Sequence, residues 1–299
     1  MTTERLRLIG ILVLLGVGWG ATQPLSKIVV EGGTGHYALI FWQACISALF
    51  LGGVLVLRRR PVPLTADILK FALVVAGLGT VVPGYTFYRS IAHLPSGVMS
   101  LIIAAVPMLA LPMAVVLGRD RLTPARLAGL GLGLCGVALI ALPDSGLPDR
   151  AMVAWLPLAL VGPLCYALEA NYVALHNDLK ADAMQAMFLA SLLAALLALP
   201  LVLWSGQWVD PVATWNWRYG VFILTSALNA VLYVAYVWLA GRAGAVFASQ
   251  SSYVITGAGL VWAIVLLGER FSLWIYLALA LLMCGLFLVS PRRQPGRIR

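Results

Sequence analysis

Ten long apolar runs, separated by short polar or turn-rich breaks, account for most of the 299-residue chain. A helix that crosses a bilayer needs about 20 mainly apolar residues, and most of the runs have about that length. Because hydrocarbon offers no hydrogen-bonding partners, such segments cross it as helices. The pattern therefore predicts an all-α polytopic membrane protein with ten transmembrane helices. Their predicted bounds are 8–30, 37–57, 68–92, 97–117, 127–142, 153–175, 185–204, 219–240, 245–267 and 274–290.

The composition supports this fold class. Apolar residues make up 62% of the chain and charged residues 10%, whereas soluble proteins carry about 25% charged residues. The net charge of +9 comes mainly from short basic clusters between the apolar runs. This placement indicates loops beside a lipid bilayer and no nucleic-acid interface. The four cysteines are isolated within apolar runs, which favours neither a disulfide nor a metal site.

No motif indicates chemistry that would need a cofactor. Gly129, Gly131 and Gly133 lie in an apolar run without a preceding strand, so they favour close helix packing over a dinucleotide-binding loop. We find no nucleotide-binding motif and no nucleophile clustered with a base. We therefore expect no cofactor, no ATP-driven step and no enzymatic activity.

The distribution of lysine and arginine predicts the orientation in the membrane. With residue 1 in the cytoplasm, cytoplasmic segments hold 15 of the 20 cations. The outer segments then hold Arg89, Arg150, Arg218 and Arg270. An excess of positive charge marks the cytoplasmic loops of membrane proteins. We therefore predict a multi-pass protein of a bacterial-type inner membrane, with both termini in the cytoplasm.

Short matches between the two halves of the sequence indicate an internal repeat. The matching segments are Trp19-Gly20 with Tyr166-Ala167, Tyr85–Ala92 with Tyr233–Ala240, and Leu117–Thr123 with Leu267–Ser272. We predict one five-helix repeat over 1–146 and a second over 147–299. Because five is odd, the second repeat must be inverted in the membrane, as in many secondary transporters, which bind substrate between their repeats. A channel or a scaffold built by duplication remains an alternative.

The segments that follow the fourth and ninth runs resemble the drug/metabolite transporter superfamily, and in particular its EamA-type exporters. Leu267-Gly268-Glu269-Arg270 matches the Leu-Gly-Glu-Arg pattern of that family, whereas the first copy departs from it with Leu-Gly-Arg-Asp-Arg at 117–121. The resemblance implies export of small amphipathic metabolites. A narrower similarity, to exporters of aromatic amino acids, implies outward movement of Phe, Trp and Tyr. Exporters of other amino acids or of cationic drugs, and a channel-like facilitator, stay open as alternatives.

Polar residues deep in an apolar run are candidates for a transport site, because hydrocarbon excludes them unless they face a cavity or a partner. In the first run, Trp19, Gln23 and Lys27 form a helical stripe beside Pro24. Trp19 and Gln23 are predicted to line a cavity. The alternative is that Gln23 links two helices and that Lys27 extends to the outer headgroups.

Aromatic residues recur at equivalent positions of the two repeats. Tyr85 and Tyr88 share a face in the third run, and Tyr233 and Tyr236 share one in the eighth run, four and seven residues after Asn229. Meeting at the pseudo-twofold axis, the two pairs would form a wall for a flat aromatic ring. The alternative is that these tyrosines anchor the interfaces or pack in the core.

The sixth run contains a glutamate, Glu169, one turn after Tyr166, and both are candidate substrate-binding residues. An acid at that depth must be protonated, paired or hydrated. Three interpretations compete: Glu169 binds the ammonium group of a substrate, accepts a coupling proton, or forms an ion pair with Lys27 or Arg89.

The ninth run has a polar segment at 249–253 that covers every face of a helix. Such a helix is either opened locally or central in the bundle, and we predict Gln250 and Ser252 as hydrogen-bond donors to the cavity. Prolines can kink helices, so Pro24, Pro83 and Pro107 are candidate hinges. The expected partners are a small molecule, most specifically an amino acid, and the lipid bilayer.

Overall fold

The computed structural model describes residues 3–141, 147, 149–176, 181–210, 215–243 and 245–289, and these ranges contain helices and no strand. The helices form ten segments, numbered here in chain order. They are α1 (Thr3–Val30), α2 (His36–Leu57), α3 (Ala66–Ala76 and Val82–Ile91, joined by the π-helical turn Gly77–Val81), α4 (Ser96–Ile103 and Val106–Val116), α5 (Pro124–Ala141), α6 (Leu156–Leu175, preceded by the 3-10 turn Arg150–Trp155), α7 (Ala183–Trp204), α8 (Trp217–Ala243), α9 (Ala245–Ser249 and Ser251–Leu267) and α10 (Leu273–Val289).

The predicted all-α polytopic fold with ten spans is confirmed within the described residues. Segments α1 to α9 are long and apolar enough to cross a membrane, and α10 adds an apolar helix of 17 described residues, close to the lower limit for a span. Helix α1 begins five residues before the predicted bound, because charged residues outside the hydrocarbon continue a helix at little cost. Residues 142 and 290, which end two predicted runs, and the basic tail at 292–299 lie outside the described residues.

Three segments are interrupted, and two of the interruptions lie next to a proline. The π-helical turn of α3 directly precedes Val82 and Pro83, and α4 is broken at Ala104 and Ala105, just before Pro107. Proline cannot donate the backbone hydrogen bond of a regular helix, so the turn before it relaxes into another hydrogen-bonding pattern. By contrast, α1 continues through Pro24 without a break.

The packing pattern relates the two halves by a pseudo-twofold axis. Helix α1 packs against α8 and α9, and α6 packs in the same way against α3 and α4. Helices α2 and α7 contact each other, as do α5 and α10 and also α4 and α9. Exchanging α1–α5 with α6–α10 leaves this set of contacts unchanged.

The equivalent helices of the two halves run in opposite directions. Arg60, after the end of α2, forms an ion pair with Asp182 at the start of α7, and Trp42 near the start of α2 donates to the carbonyl of Val209 beyond the end of α7. The fold is therefore two inverted five-helix repeats, as predicted. The predicted boundary between 146 and 147 adjoins the undescribed segment 142–146 and stays a prediction.

Glycines allow the two halves to approach closely. A Cβ atom added to Gly20 of α1 would lie 2.8 Å from the backbone nitrogen of Gly259 in α9, and one added to Gly129 of α5 would lie 2.8 Å from the carbonyl oxygen of Gly285 in α10. Small residues permit such backbone contact between membrane helices. The close packing predicted for Gly129 and Gly133 is present, whereas Gly131 faces open space.

We call the end of the bundle where α1 begins the amino end, and the opposite end the far end. At the amino end, Glu4 forms an ion pair with Arg242 at a distance of 3.1 Å. Because each segment crosses the bundle, the loops alternate between these ends. The alternation places α1–α2, α3–α4 and α9–α10 connections together at the far end.

Candidate functional site

A polar cavity of about 150 Å³ lies between the two halves. We call it the central cavity. Its lining comes from α1, α2, α3, α4, α6 and α8, and it is mostly polar or aromatic, with no charged residue among the lining side chains. These residues are Thr22, Gln23, Ser26, Ile40, Gln43, Gly79, Thr80, Gly84, Phe87, Tyr88, Ile103, Tyr166 and Asn229.

A second cavity, of about 190 Å³, reaches the amino end. We call it the amino-end cavity. Its lining residues are Phe71, Val75, Glu169, Val173, His176, Ala181, Ala183, Ala186, Met187 and Tyr233. Tyr166 lines the central cavity and Glu169, one turn later in α6, lines the amino-end cavity. Successive turns of α6 therefore line the two cavities.

The Glu169 carboxylate lies against the π-helical turn of α3. A Cβ atom at Gly79 would lie 2.5 Å from Glu169 Oε1, so a larger residue there would force the carboxylate to move. Gly79 also lines the central cavity, which places the carboxylate at the boundary between the two cavities. Among the described residues, Glu169 has neither an ion-pair partner nor a hydrogen-bond donor.

Lys27 does not pair with Glu169, because it lies at the far end and faces another acid. Its Nζ donates to the carbonyl oxygen of Leu94 at 2.7 Å and lies 3.9 Å from Oε1 of Glu269. Glu269 in turn accepts from the backbone N–H groups of Ser96 (2.7 Å) and Gly97 (3.1 Å), which begin α4. We call these five residues the far-end latch.

The far-end latch is enclosed and joins the two halves. The side chains of Lys27 and Glu269 are 16% and 12% exposed, so Lys27 does not extend to the headgroups as the alternative had it. Lys27 and the start of α4 belong to the first repeat, and Glu269 belongs to the second. Ser26 of the central cavity directly precedes Lys27, so the latch adjoins the cavity on its far-end side.

Arg89 and Tyr85 also lie at the far end, outside both cavities. The exposed Arg89 guanidinium lies 5.8 Å from the ring of Trp155, so it does not pair with Glu169. Tyr85 stacks on Tyr37, with 5.7 Å between the ring centroids. These two predicted site residues therefore contribute to the far-end surface.

The predicted wall of two tyrosine pairs is not formed. Tyr88 lines the central cavity, Tyr233 lines the amino-end cavity, and Tyr236 packs edge-on against Trp19 with 5.6 Å between the ring centroids. The inversion of the repeat is the physical reason. Residues near the far end in one copy have equivalents near the amino end in the other, so the two pairs cannot meet at one depth. Trp19 therefore contacts core residues and lines neither cavity.

The predicted polar residues of α9 are also displaced from the cavities. Gln250 occupies the turn that interrupts α9, and its side chain is exposed near the amino end. Ser252 is partly buried one turn from Thr256, whose hydroxyl donates to the Ser252 carbonyl at 2.9 Å. The polar segment thus marks a local opening of the helix, which was one of the two predicted explanations, and neither side chain lines either cavity.

The central cavity brings together Gln23, Tyr88, Tyr166 and Asn229 of the predicted residues. Among the lining residues that the prediction missed, Gln43 has the most polar side chain. Gln43 lines the cavity, and its carbonyl oxygen Oε1 accepts the Tyr88 hydroxyl. The criterion of a polar side chain within an apolar run would have identified Gln43, which is the one amide in the run 37–57.

Comparisons with known proteins agree with this architecture. A probable terminal-alkyne amino-acid exporter of Streptantibioticus cattleyicolor is 28% identical over 301 aligned positions, which cover 96% of this chain and 94% of that protein. A solved crystal structure shares the fold with a TM-score of 0.63 at 16% identity, over 93% of this chain and 95% of that chain. The sequence model of the EamA-like transporter family matches twice, at 7–142 and at 153–290. The chain therefore belongs to the EamA-like transporter family.

Proposed function

We propose that this protein exports amino acids from the cytoplasm, with aromatic amino acids as its main substrates, by alternating access around the central cavity. The observation that carries the proposal is an uncharged, polar and aromatic cavity between two inverted repeats, with one unpaired carboxylate at its boundary. The exporter name of the relative from Streptantibioticus cattleyicolor supports amino acids as the substrate class.

The lining of the central cavity suits an amphipathic molecule. Phe87, Tyr88 and Tyr166 offer aromatic surface, and the amides of Gln23 and Asn229 offer donors and acceptors. Aromatic pairs contribute about 0.5–1.5 kcal/mol each beyond their buried area. Interactions of this size give the weak binding that a carrier needs in order to release its substrate.

Glu169 supplies the negative charge of the proposed site. With no cation beside it among the described residues, its charge can be balanced by the ammonium group of a substrate or by a coupling proton. Both candidates arrive through the amino-end cavity, which extends from the amino end to this carboxylate. The amino end is the cytoplasmic end in the proposed orientation, so substrate enters there.

Alternating access assigns a role to the far-end latch. The latch ties α1, α4 and the α9–α10 connection together on the far-end side of the central cavity. In the proposed cycle, these contacts break when the repeats rock and the cavity opens outward. The amino-end cavity narrows in the same movement.

Counterflow in proteoliposomes tests the proposal. Vesicles loaded with unlabelled phenylalanine are diluted into labelled phenylalanine, and the other nineteen amino acids and a cationic drug serve as competitors. We expect saturable, trans-stimulated uptake that aromatic amino acids inhibit most strongly. Flux without trans-stimulation would indicate a channel. Inhibition by the cationic drug alone would indicate a drug exporter, and absence of any saturable flux would reject the proposal.

A further inference from the structure

Gln43 is held in one orientation by a buried tyrosine. The Tyr88 hydroxyl donates to Gln43 Oε1, and Tyr88 is 5% exposed. The hydrogen bond occupies the carbonyl end of the Gln43 amide. The NH₂ end of that amide is therefore fixed as the group presented to the central cavity.

The NH₂ group of Gln43 has no protein partner among the described residues, and it is not buried against the protein. An amide NH₂ carries two donor hydrogens and accepts none. Because Gln43 lines the central cavity, these hydrogens are available to a bound molecule. The group that suits them is an acceptor, and a charged acceptor makes the stronger hydrogen bonds.

Neither cavity contains a lysine or arginine among its lining residues. Lys27 is bound in the far-end latch, and Arg89 lies on the outer surface beside Trp155. The residues that the structure describes therefore offer a substrate carboxylate no cation in the central cavity. Amide and hydroxyl donors are the groups that remain for it.

The acceptor that complements these donors is the Glu169 carboxylate. It lies against Gly79 at the boundary of the central cavity, and it has no ion-pair or hydrogen-bond partner within the part of the chain that the structure describes. A zwitterionic amino acid carries both complementary groups. Its ammonium group suits the Glu169 carboxylate, and its carboxylate suits the Gln43 amide.

We propose that Gln43, oriented by Tyr88, binds the substrate carboxylate and so selects amino acids over the corresponding amines. This inference rests on the proposed function, because it concerns the same cavity and assigns a specificity-determining residue to it. Gln43 supplies the donors. The Tyr88 hydroxyl has a positioning role through Gln43, which is separate from the aromatic surface that the Tyr88 ring offers to the cavity.

Gln43→Glu is the variant that tests the role of the Gln43 amide most directly. Glutamate has nearly the same shape and still accepts from Tyr88, but it presents a negatively charged acceptor where the NH₂ group was. The substrate carboxylate is then repelled, whereas an amine without a carboxylate is not. Tyr88→Phe is the second variant, because it removes one oxygen atom and leaves the amide free to rotate.

Equilibrium binding to the purified protein in detergent tests the inference without interference from passive membrane permeation. The two ligands are labelled phenylalanine and labelled 2-phenylethylamine, its decarboxylated counterpart. For Gln43→Glu we expect phenylalanine affinity to fall about tenfold or more, with amine affinity unchanged or increased. For Tyr88→Phe we expect a smaller loss confined to phenylalanine.

Gln207→Glu is the matched control. Gln207 lies at the far end, where its Oε1 accepts from the backbone N–H of Tyr37 at 3.0 Å, an interaction that a carboxylate retains. We expect its affinities for both ligands to match the wild type. The selectivity ratio is the affinity for phenylalanine divided by the affinity for 2-phenylethylamine. If Gln43→Glu leaves this ratio unchanged, the inference is overturned. If that variant fails to fold, an unchanged ratio in Tyr88→Phe overturns it instead.

The outcomes also separate this inference from the proposed function. Wild-type protein that binds the amine as tightly as phenylalanine overturns the role of Gln43 and leaves export of an aromatic molecule standing. Wild-type protein that binds neither ligand rejects the substrate class itself.

Discussion

Individual residues set the chemistry of the cavities, and Glu169 illustrates how. Its position within an apolar run made it a candidate from the sequence, and the structure places its carboxylate at the boundary of two cavities, without a partner among the described residues. The sequence could not reveal Gly79 as its neighbour, because that contact depends on the packing of α3 against α6. It could not reveal the Tyr88–Gln43 hydrogen bond for the same reason.

We expect Glu169→Gln to reduce transport about tenfold or more while the protein folds and inserts normally. Loss of one partner from a buried ion pair costs about 3–5 kcal/mol. Glu169 has no ion-pair partner in the described ranges, so the free energy of unfolding should change by less than about 1 kcal/mol. Counterflow in proteoliposomes and thermal unfolding in detergent measure the two effects. Unchanged flux would contradict a role for this carboxylate in transport.

Gly79→Ala should also reduce transport, because the new methyl group occupies the space of the Glu169 carboxylate. Gly77→Ala is the matched control, since it lies in the same π-helical turn and a Cβ there meets nothing within 4 Å. Both changes remove a glycine from a helix, which favours folding by about 0.5–1 kcal/mol. Equal counterflow rates in the two variants would show that the space at Gly79 is unimportant.

At the level of elements, hydrophobic patterning predicted the helices well and their interruptions poorly. The apolar runs located ten helices because a bilayer imposes one length and one composition on every span. Patterning carries no information about hydrogen-bond register, so the π-helical turn at 77–81 and the break at Ala104 were not predicted. Pro83 and Pro107 were recognised as candidate hinges, and both lie next to these interruptions.

The far-end latch gives a prediction at the scale of elements. Glu269→Gln removes the negative charge that holds Lys27 and the first two N–H groups of α4. We expect this change to speed the reaction of a Ser26→Cys side chain in the central cavity with a membrane-impermeant thiol reagent supplied from the far-end side. The expected rate is several-fold that of the same cysteine in the protein with Glu269 intact. The reaction rate is measured in a background that lacks the four native cysteines.

Glu4→Gln serves as the control for that experiment. It breaks the exposed ion pair with Arg242 at the amino end, and exposed pairs contribute little stability. Its Ser26→Cys reaction rate should equal that of the parent protein. Equal rates in all three proteins would exclude the latch as the far-end closure.

For the whole molecule, weak sequence matches were enough to predict two inverted repeats, but the aromatic wall predicted from them is not formed. The matches pair Tyr85 and Tyr88 with Tyr233 and Tyr236 as equivalent positions of the two repeats. Because the repeats are inverted, equivalent positions lie at opposite depths in the membrane. Equivalent residues can therefore be close together only near the middle of the bilayer. The sequence matches therefore could not predict which residues of the two repeats contact each other, and the three-dimensional structure was needed to identify them.

Orientation gives the prediction for the whole molecule. Asp67 at the amino end and Arg150 at the far end are both exposed. We expect a cysteine at position 150 in intact cells to react with an impermeant thiol reagent, and one at position 67 to react only after the membrane is permeabilised. The reverse labelling pattern would place the amino end outside and would reverse the proposed direction of export.

The contact between α5 and α10 has a consequence for how the halves can move. These two helices touch backbone to backbone at Gly129 and Gly285, and neither lines the central or the amino-end cavity. In the proposed cycle, this pair of helices is a fixed axis, and the other eight helices separate at one end of the bundle or at the other. The contact between Gly129 and Gly285 is then kept in both states.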